Sequence, residues 1–340
     1  MKHPWLASAY FPTKVILLDD DVSFLKSLND NLSLRGFYCE SYSNSKQLVE
    51  LLSQRKTALT IFDDCLKSIV GSAFEGEKFG DHPINVDLPG LRHTLFNANR
   101  FEIPTVLIVD YAMEPLNGLE VAKQLRQKGF LIKIIMLTGQ ASPDIGIRGL
   151  SEGHIDHFIL KSPRQLGDTI SRSIRQLQQE YFQEASYTIA KLLSLENHSV
   201  LMAPDFLPFF HSIIEEHDIE EYYLLNDKNH FLLLNEEGKL SLLGIFSEED
   251  IDDQYDVITD ENLPDSIRDA LRAQTGAFFF FATEDLATPP EQWGKFFHHI
   301  KPIPSKPGYF YTLFEEVSAY DIPQKEIISF QKFLSAHQKD

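Results

Sequence analysis

Asp19 and Asp20 follow the apolar run KVILL, and Asp110 ends the run TVLIV. Thr138 follows IIML and Lys161 follows HFIL. Three carboxylates of this kind make a hard oxygen site suited to Mg2+. A carboxylate beside Mg2+ can attack a phosphoryl group and become an acyl phosphate. The three equatorial oxygens of the transferred group then need partners. The metal takes one, the Thr138 hydroxyl another and the Lys161 ammonium the third. Gly139 leaves room beside Thr138. Taken singly, a strand-end aspartate is more often a turn or cap residue, and a strand-end lysine a solvated charge. The reading rests on all five together, with Gly118 placed eight residues after Asp110.

Placing five such groups on one rim requires alternating strands and helices. Apolar runs predict strands over 14–18, 37–42, 105–109, 131–137 and 157–160. Helical spacing predicts helices over 22–36, 45–54, 118–127 and 142–153, with another from Pro163. Continuous apolar strands alternating with helices mean a parallel sheet covered on both faces. Ligands of such sheets bind beyond the carboxyl ends of the strands, where all five residues fall. Residues 56–103 far exceed the usual link of about two to six residues and read as an inserted subdomain. Beyond Pro163, apolar residues at Leu166, Ile170, Ile174, Leu177, Tyr181, Ile189 and Leu192 predict one long helix leading into a second domain. Its single stripe offers either packing on the first sheet, at least over 166–177, or a dimer seam.

The second half reads as α+β. Strands over 222–226, 231–235 and 240–246, separated by DKNH and EEGK, form an antiparallel meander. Two further strands fall at 277–283 and 309–317, with helices at 205–217, 264–273, 290–299 and 323–337. Residues 185–340 carry 28 Asp and Glu against 11 Lys and Arg, so −17 of the chain's net −19 lies there. Duplex binding needs a basic face, and no helix-turn-helix pattern occurs, so direct DNA binding is not expected. The two cysteines, Cys39 and Cys65, have no metal or disulfide spacing, which points to a reducing cytoplasm. No apolar run reaches the ~20 residues of a membrane span. Residues 1–13 read as a short extension.

With these motifs in place, residues 14–182 without the insert resemble the receiver domain of two-component response regulators. The resemblance is carried by ILLDDD, LIVDYAMEPLNGLEV, IIMLTGQAS and FILK. It implies an α/β, flavodoxin-like, five-stranded parallel sheet with an inserted segment at about 56–103. The linking helix 163–195 then joins it to an α+β output domain, 196–340, with an antiparallel sheet. It also implies roles: Asp110 as phosphoacceptor, and Asp19, Asp20, Asp110 and the Ala112 backbone carbonyl around Mg2+. Thr138 would be the switch hydroxyl, Lys161 the phosphate partner and Phe158 the switch aromatic. The implied partners are a sensor histidine kinase and, after phosphorylation, a second copy of the chain. Two departures stand out: Glu114 intervenes between Met113 and Pro115, and Ser162 directly follows Lys161. The insert and the tail EYYLLNDKNHFLLLNEEGKLSLLGIF resemble the quorum-sensing response regulators of Legionella-like bacteria.

LLDDDVSF also fits the nucleophile loop of haloacid-dehalogenase-like phosphatases. There Asp19 would be the nucleophile, Asp21 the acid/base and the insert a cap, with Thr138 and Lys161 in the later motifs. That leaves Asp110, Met113 and Gly118 idle, and no acidic pair after Lys161 falls at a strand end to finish the metal site. For the output half, a PAS-like ligand sensor or a nucleotide-binding module is the alternative to a protein-binding domain. No GGDEF, EAL, HD-GYP or P-loop pattern is present, so no separate enzymatic output is expected. His298–His299 reads as a surface pair, Phe278–Phe281 as a central strand filling both faces, and SEEDIDDQYD (247–256) as a solvated acidic segment.

Overall fold

The computed structural model describes residues 5–54, 62, 66–68, 84–86, 91, 94–139, 143–161, 166–196, 200–258, 263–281, 285, 287–315 and 326–337. In chain order the first half contains β1 (Ala9–Tyr10), β2 (Lys14–Leu18), α1 (Val22–Ser33), β3 (Cys39–Tyr42) and α2 (Ser45–Gln54). A ribbon of β4 (Leu66–Ser68) and β5 (Ile84–Val86) follows. Then come β6 (Pro104–Asp110), α3 (Gly118–Gln127), β7 (Lys133–Thr138), α4 (Pro143–Ser151), β8 (His157–Leu160) and α5 (Leu166–Glu196).

Five of these strands form a parallel sheet of order β3-β2-β6-β7-β8. This is the doubly wound order in which the chain reverses direction beside the first strand. Alternate side chains go to opposite faces, and both faces are buried. Ile16, Leu18, Leu107, Val109, Ile134 and Met136 pack with Leu48 and Leu52 of α2 and Leu119, Ala122 and Leu125 of α3. Val15, Leu17, Val106, Ile108, Ile135 and Leu137 pack with Leu25, Leu28 and Leu32 of α1 and Ile170, Ile174 and Leu177 of α5. Helix α1 stops before the predicted residue 36, and Gly36 turns the chain at φ +82°.

The second half adds α6 (Leu207–Glu216), β9 (Ile219–Leu224), β10 (Phe231–Asn235), β11 (Leu240–Ser247), α7 (Glu248–Ile258) and α8 (Asp265–Arg272). It continues with β12 (Gly276–Phe278), β13 (Phe297–His299), β14 (Lys301–Pro302), β15 (Tyr309–Phe314) and α9 (Phe330–His337). An antiparallel sheet runs β1-β9-β10-β11-β15-β14. The N-terminal residues are therefore more than an extension. Ala9 and Tyr10 pair with Tyr223 and Tyr222, and Leu6, Ala9 and Phe11 are buried in the core of the second half. Their partners lie some two hundred residues downstream, and no local pattern announces them.

The insert likewise contributes to the second core. Its described residues Phe62, Leu91, Leu95 and Phe101 are buried there. Arg100 forms a two-point ion pair with Glu221 of β9, and its guanidinium also donates to the carbonyls of Thr94, Leu95, Asn97 and Ile328. Helix α5 runs unbroken between the cores, serving the sheet of the first half up to Leu177 and the second core from Tyr181 to Leu193. Most of its apolar stripe is covered within the chain, with Ile170, Ile174, Leu177, Tyr181 and Ile189 buried, which leaves it little apolar surface to bury against a partner.

Two readings of the tail change, and the acidic segment keeps most of its acids exposed while folding as a helix. Phe278–Phe281 does not form a central strand. Phe278 ends the two-stranded ribbon β12–β13, and Phe279 packs against His230 and Phe314 beyond it. The predicted helix 290–299 is a 3-10 segment, Pro290–Phe296, which leads directly into β13. SEEDIDDQYD is mostly helix α7, with Ile251 and Ile258 buried and its acids in the first turn favoured by the helix dipole. The final helix is described only from Phe330, and Pro163 and Ser162 lie outside the described residues.

Candidate functional site

The rim is set by how each strand ends. After β2, the Asp19 amide donates to the Tyr42 carbonyl, extending the pairing by one residue. Asp19 Oδ1 then accepts from the Asp21 amide at 2.9 Å, which turns the chain outward. Asp21 caps α1, its Oδ1 accepting from the amides of Ser23 and Phe24. Asp110 ends β6, and its Oδ2 accepts from the Ala112 amide at 2.7 Å. The following loop is fastened where the Gly118 amide meets the Tyr111 carbonyl and by a reciprocal Asn117–Glu120 capping box. Residue 118 must be glycine, because a Cβ there would overlap the Asp110 carbonyl oxygen. Thr138 closes β7, and its carbonyl accepts from the Lys161 amide at 2.7 Å.

These backbone constraints bring three of the predicted side chains together. Lys161 Nζ lies 2.6 Å from Asp19 Oδ2 and 2.8 Å from Asp110 Oδ1. Asp19, Asp110 and Thr138 are buried, and Lys161 is partly so. Burial pushes the Asp19 carboxyl above the usual carboxylate range, against the opposing pull of the Lys161 hydrogen bond. Burial also works against the Lys161 ammonium, but the hydrogen bonds to Asp110 and Asp19 outweigh it and hold its pKa above the usual lysine value.

Asp20 stands apart from this group, with its side chain exposed. Among the described residues no three His, Cys, Asp or Glu side chains converge as a metal ligand set. The expected Asp19–Asp20–Asp110 cluster is therefore not assembled: the Lys161 ammonium, not a third acid, sits between the two buried carboxylates. The donor chemistry still suits Mg2+, since both inner carboxylates are hard oxygen ligands and Asp20 adjoins them in the chain. Asp21, the acid/base of the phosphatase alternative, faces the amides of α1 instead of the site.

Phe158 is half-buried on β8, its ring against Gly146 of α4, where a Cβ would come within 2.5 Å of Cδ2. Sequence reasoning missed a further group at the rim. The Phe24 ring lies 4.0 Å, centroid to nitrogen, from Lys161 Nζ. Its place one turn into α1, four residues after Asp20, is the only signal for it in the sequence. His298 and His299 point to opposite sides of β13; His298 packs on the Phe314 ring at 4.7 Å and His299 is exposed. Cys39 is a free thiol that burial pushes up to about 12, and Cys65 lies outside the described residues. No described helix is long and apolar enough to cross a membrane.

Residues 84–171 match the family model described as the response regulator receiver domain. The match begins after β2 and β3, and the sheet order joins these, with Asp19, to the same unit. The chain thus carries a response regulator receiver domain, the signalling module of two-component systems. Response regulator MprA of Mycolicibacterium vanbaalenii is 22% identical over 161 residues, 47% of this chain and 48% of that protein. Response regulator RppA of Synechocystis is 32% identical over 80 residues, 24% of this chain and 33% of that protein. The chain spans half or less of the length of these curated relatives. The structure of the Legionella pneumophila response regulator LqsR is 24% identical, with a TM-score of 0.77, covering 98% of this chain and 96% of that one. The two share one fold across both halves.

Proposed function

We propose that this chain is a phosphorylation-controlled response regulator, in which Asp110 accepts a phosphoryl group from a sensor histidine kinase. The observation that carries this is the Lys161 ammonium shared between Asp19 and Asp110 at the carboxyl ends of adjacent strands. Asp110 Oδ1, now engaged by Lys161, is the attacking oxygen: its bond to phosphorus forms as the P–N bond of the kinase phosphohistidine breaks and the imidazole takes up a proton, while Oδ2 stays fixed by the Ala112 amide. Lys161 moves with the new charge from carboxylate to phosphoryl oxygen. The Thr138 hydroxyl donates to another phosphoryl oxygen at the end of β7. Asp19 and Asp110, with Asp20 turned inward and the Ala112 carbonyl, would hold Mg2+, which supplies charge neutralisation for the transfer.

The output is dimerisation and control of the acidic second half, in a phosphorelay of the quorum-sensing kind its architecture resembles. With α5 covered, the face available is that of α4 and β8. Ile147, Leu150 and Leu160 are 63%, 42% and 53% exposed there, and Phe158 lies behind them on Gly146. Thr138 drawn inward lets Phe158 follow, which reshapes this face. Residues 14–182 act as the receiver and 196–340 as an acidic output half that does not bind DNA.

Two measurements test the reading. Radiolabel from a phosphodonor with Mg2+ maps to Asp110 and is lost in Asp110→Asn; label on Asp19 would instead favour the phosphatase alternative. Light scattering with beryllofluoride and Mg2+ shows a shift to dimer in wild type only. An unchanged mass, or an equal shift in Asp110→Asn, rejects the output mechanism.

A further inference from the structure

Phe24 occupies the first turn of α1, its amide bound to the Asp21 cap at 3.0 Å. The buried stripe of α1 is Leu25, Leu28 and Leu32; Phe24 sits at the edge of that stripe and is only half-buried. Its ring turns a face toward Lys161 Nζ, 4.0 Å from the centroid. The same nitrogen bonds Asp19 at 2.6 Å and Asp110 at 2.8 Å. One short segment, 19–24, therefore supplies both a carboxylate and a ring to a single ammonium.

A lysine ammonium is a compact charge on a flexible four-carbon stem, with three donors that swing freely unless something fixes them. Two of those donors are spent on carboxylates. The negative face of an aromatic ring attracts a cation without accepting a conventional hydrogen bond, and it displaces water that would compete for the charge. An aliphatic side chain would serve the α1 packing equally well but lacks that face.

We propose that Phe24 is a positioning residue for phosphoryl transfer: its ring holds the Lys161 ammonium between Asp19 and Asp110, where the incoming phosphoryl oxygen will meet it. The inference rests on the reading of Asp110 as phosphoacceptor. Phe24 touches no reacting atom and acts through Lys161.

The test uses the full chain with acetyl phosphate and Mg2+, comparing Phe24→Leu, Phe24→Met and Phe24→Tyr. The aliphatic variants keep the packing and lose the ring, so acceptance at Asp110 slows by about threefold to tenfold. Tyrosine keeps the ring and restores the rate to within about twofold. Using Leu and Met together guards against one of them failing to fold. A folded aliphatic variant that accepts phosphoryl at the wild-type rate overturns the proposal, as does a tyrosine variant as slow as leucine. The methylene protons of Lys161 give a readout that needs no phosphodonor. Their ring-induced upfield NMR shift is present in wild type and Phe24→Tyr and lost in Phe24→Leu. If the wild-type chain took up no phosphoryl group, the parent reading would fail, and this shift would still decide the Phe24 contact: its persistence in Phe24→Leu overturns the placement.

Discussion

Arg100 and Glu221 lie 121 residues apart in sequence and form a two-point ion pair with 2% and 1% of their side chains exposed. The pair joins the end of the insert to a strand of the antiparallel sheet. Tyr223 donates its hydroxyl to the same carboxylate at 2.6 Å. The guanidinium also donates to four backbone carbonyls, including that of Ile328 near the last helix. Such a pair stabilises only while both partners remain, because the cost of stranding a buried charge exceeds the net value of the bond.

Arg100→Ala is therefore expected to cost about 3–5 kcal/mol, since it strands Glu221 and four carbonyls. Arg100→Met combined with Glu221→Leu should cost clearly less than the sum of the two single changes. Denaturant unfolding of wild type, Arg100→Met, Glu221→Leu and the double variant measures this. Additive losses would show that the pair is not coupled.

Gly118→Ala should destabilise the chain by about 2–4 kcal/mol, because the new methyl forces the Asp110 carbonyl or α3 to move. The same change displaces Asp110 from Lys161, so phosphoryl acceptance falls along with stability. Urea titration and acetyl phosphate labelling check the two effects separately. A variant as stable as wild type would mean that the loop accommodates the methyl.

Lys161→Met leaves two buried carboxylates facing each other without a cation. A loss of about 1–3 kcal/mol is expected in the absence of divalent ions, less than for a fully buried pair because Lys161 is partly exposed. Mg2+ should then raise the melting temperature of the variant more than that of wild type, since it supplies the missing charge. Thermal melts with and without Mg2+ decide this. Equal responses would argue against metal entry between Asp19 and Asp110.

Glu220 carries a buried Oε2 with no partner among the described residues, and burial pushes its carboxyl up to about 8, with the neighbouring acids Glu221 and Glu236 adding to the shift. The folded protein therefore holds this proton to higher pH than the unfolded chain. The associated stability is complete below the ordinary value of 4.5 and is lost as pH rises through about 8. Glu220→Gln should accordingly stabilise by on the order of 2–4 kcal/mol at pH 9 and change little at pH 5. Unfolding midpoints at the two pH values test the sign. A gain at pH 5 equal to that at pH 9 would exclude titration as the cause.

Removal of residues 5–11 should destabilise the second half while leaving the parallel sheet intact. Those residues supply β1 and bury Leu6, Ala9 and Phe11 against β9 and α5. Loss of several such side chains costs about 2–5 kcal/mol each when they leave cavities, so the second half should no longer unfold cooperatively. Hydrogen exchange resolved by segment reads this directly. Retained protection in β9 and β10 would show that the strand is dispensable. The same geometry predicts that a fragment beginning at residue 196 lacks part of its own core.

The parallel sheet was legible from residue order because its information is local. Each strand is a short apolar run, each helix has a periodic stripe, and doubly wound sheets place strand ends on one rim. That logic places Asp19, Asp110, Thr138 and Lys161 at strand ends from the sequence alone. It did not reveal that Asp20 faces solvent, that the ammonium occupies the centre, or that Phe24 covers it, because side-chain direction in a turn depends on contacts made by other strands. The second core was illegible for a related reason. It is assembled from residues 6–11, from Phe62, Leu91, Leu95 and Phe101, from 181–193 and from the tail, and no periodicity within one segment records which distant segment will cover it. Sequence alone therefore determined the kinds of groups available and the elements that carry them. Tertiary structure decided which groups meet, because burial and pairing between segments far apart in the chain are settled only when the competing apolar faces find one another.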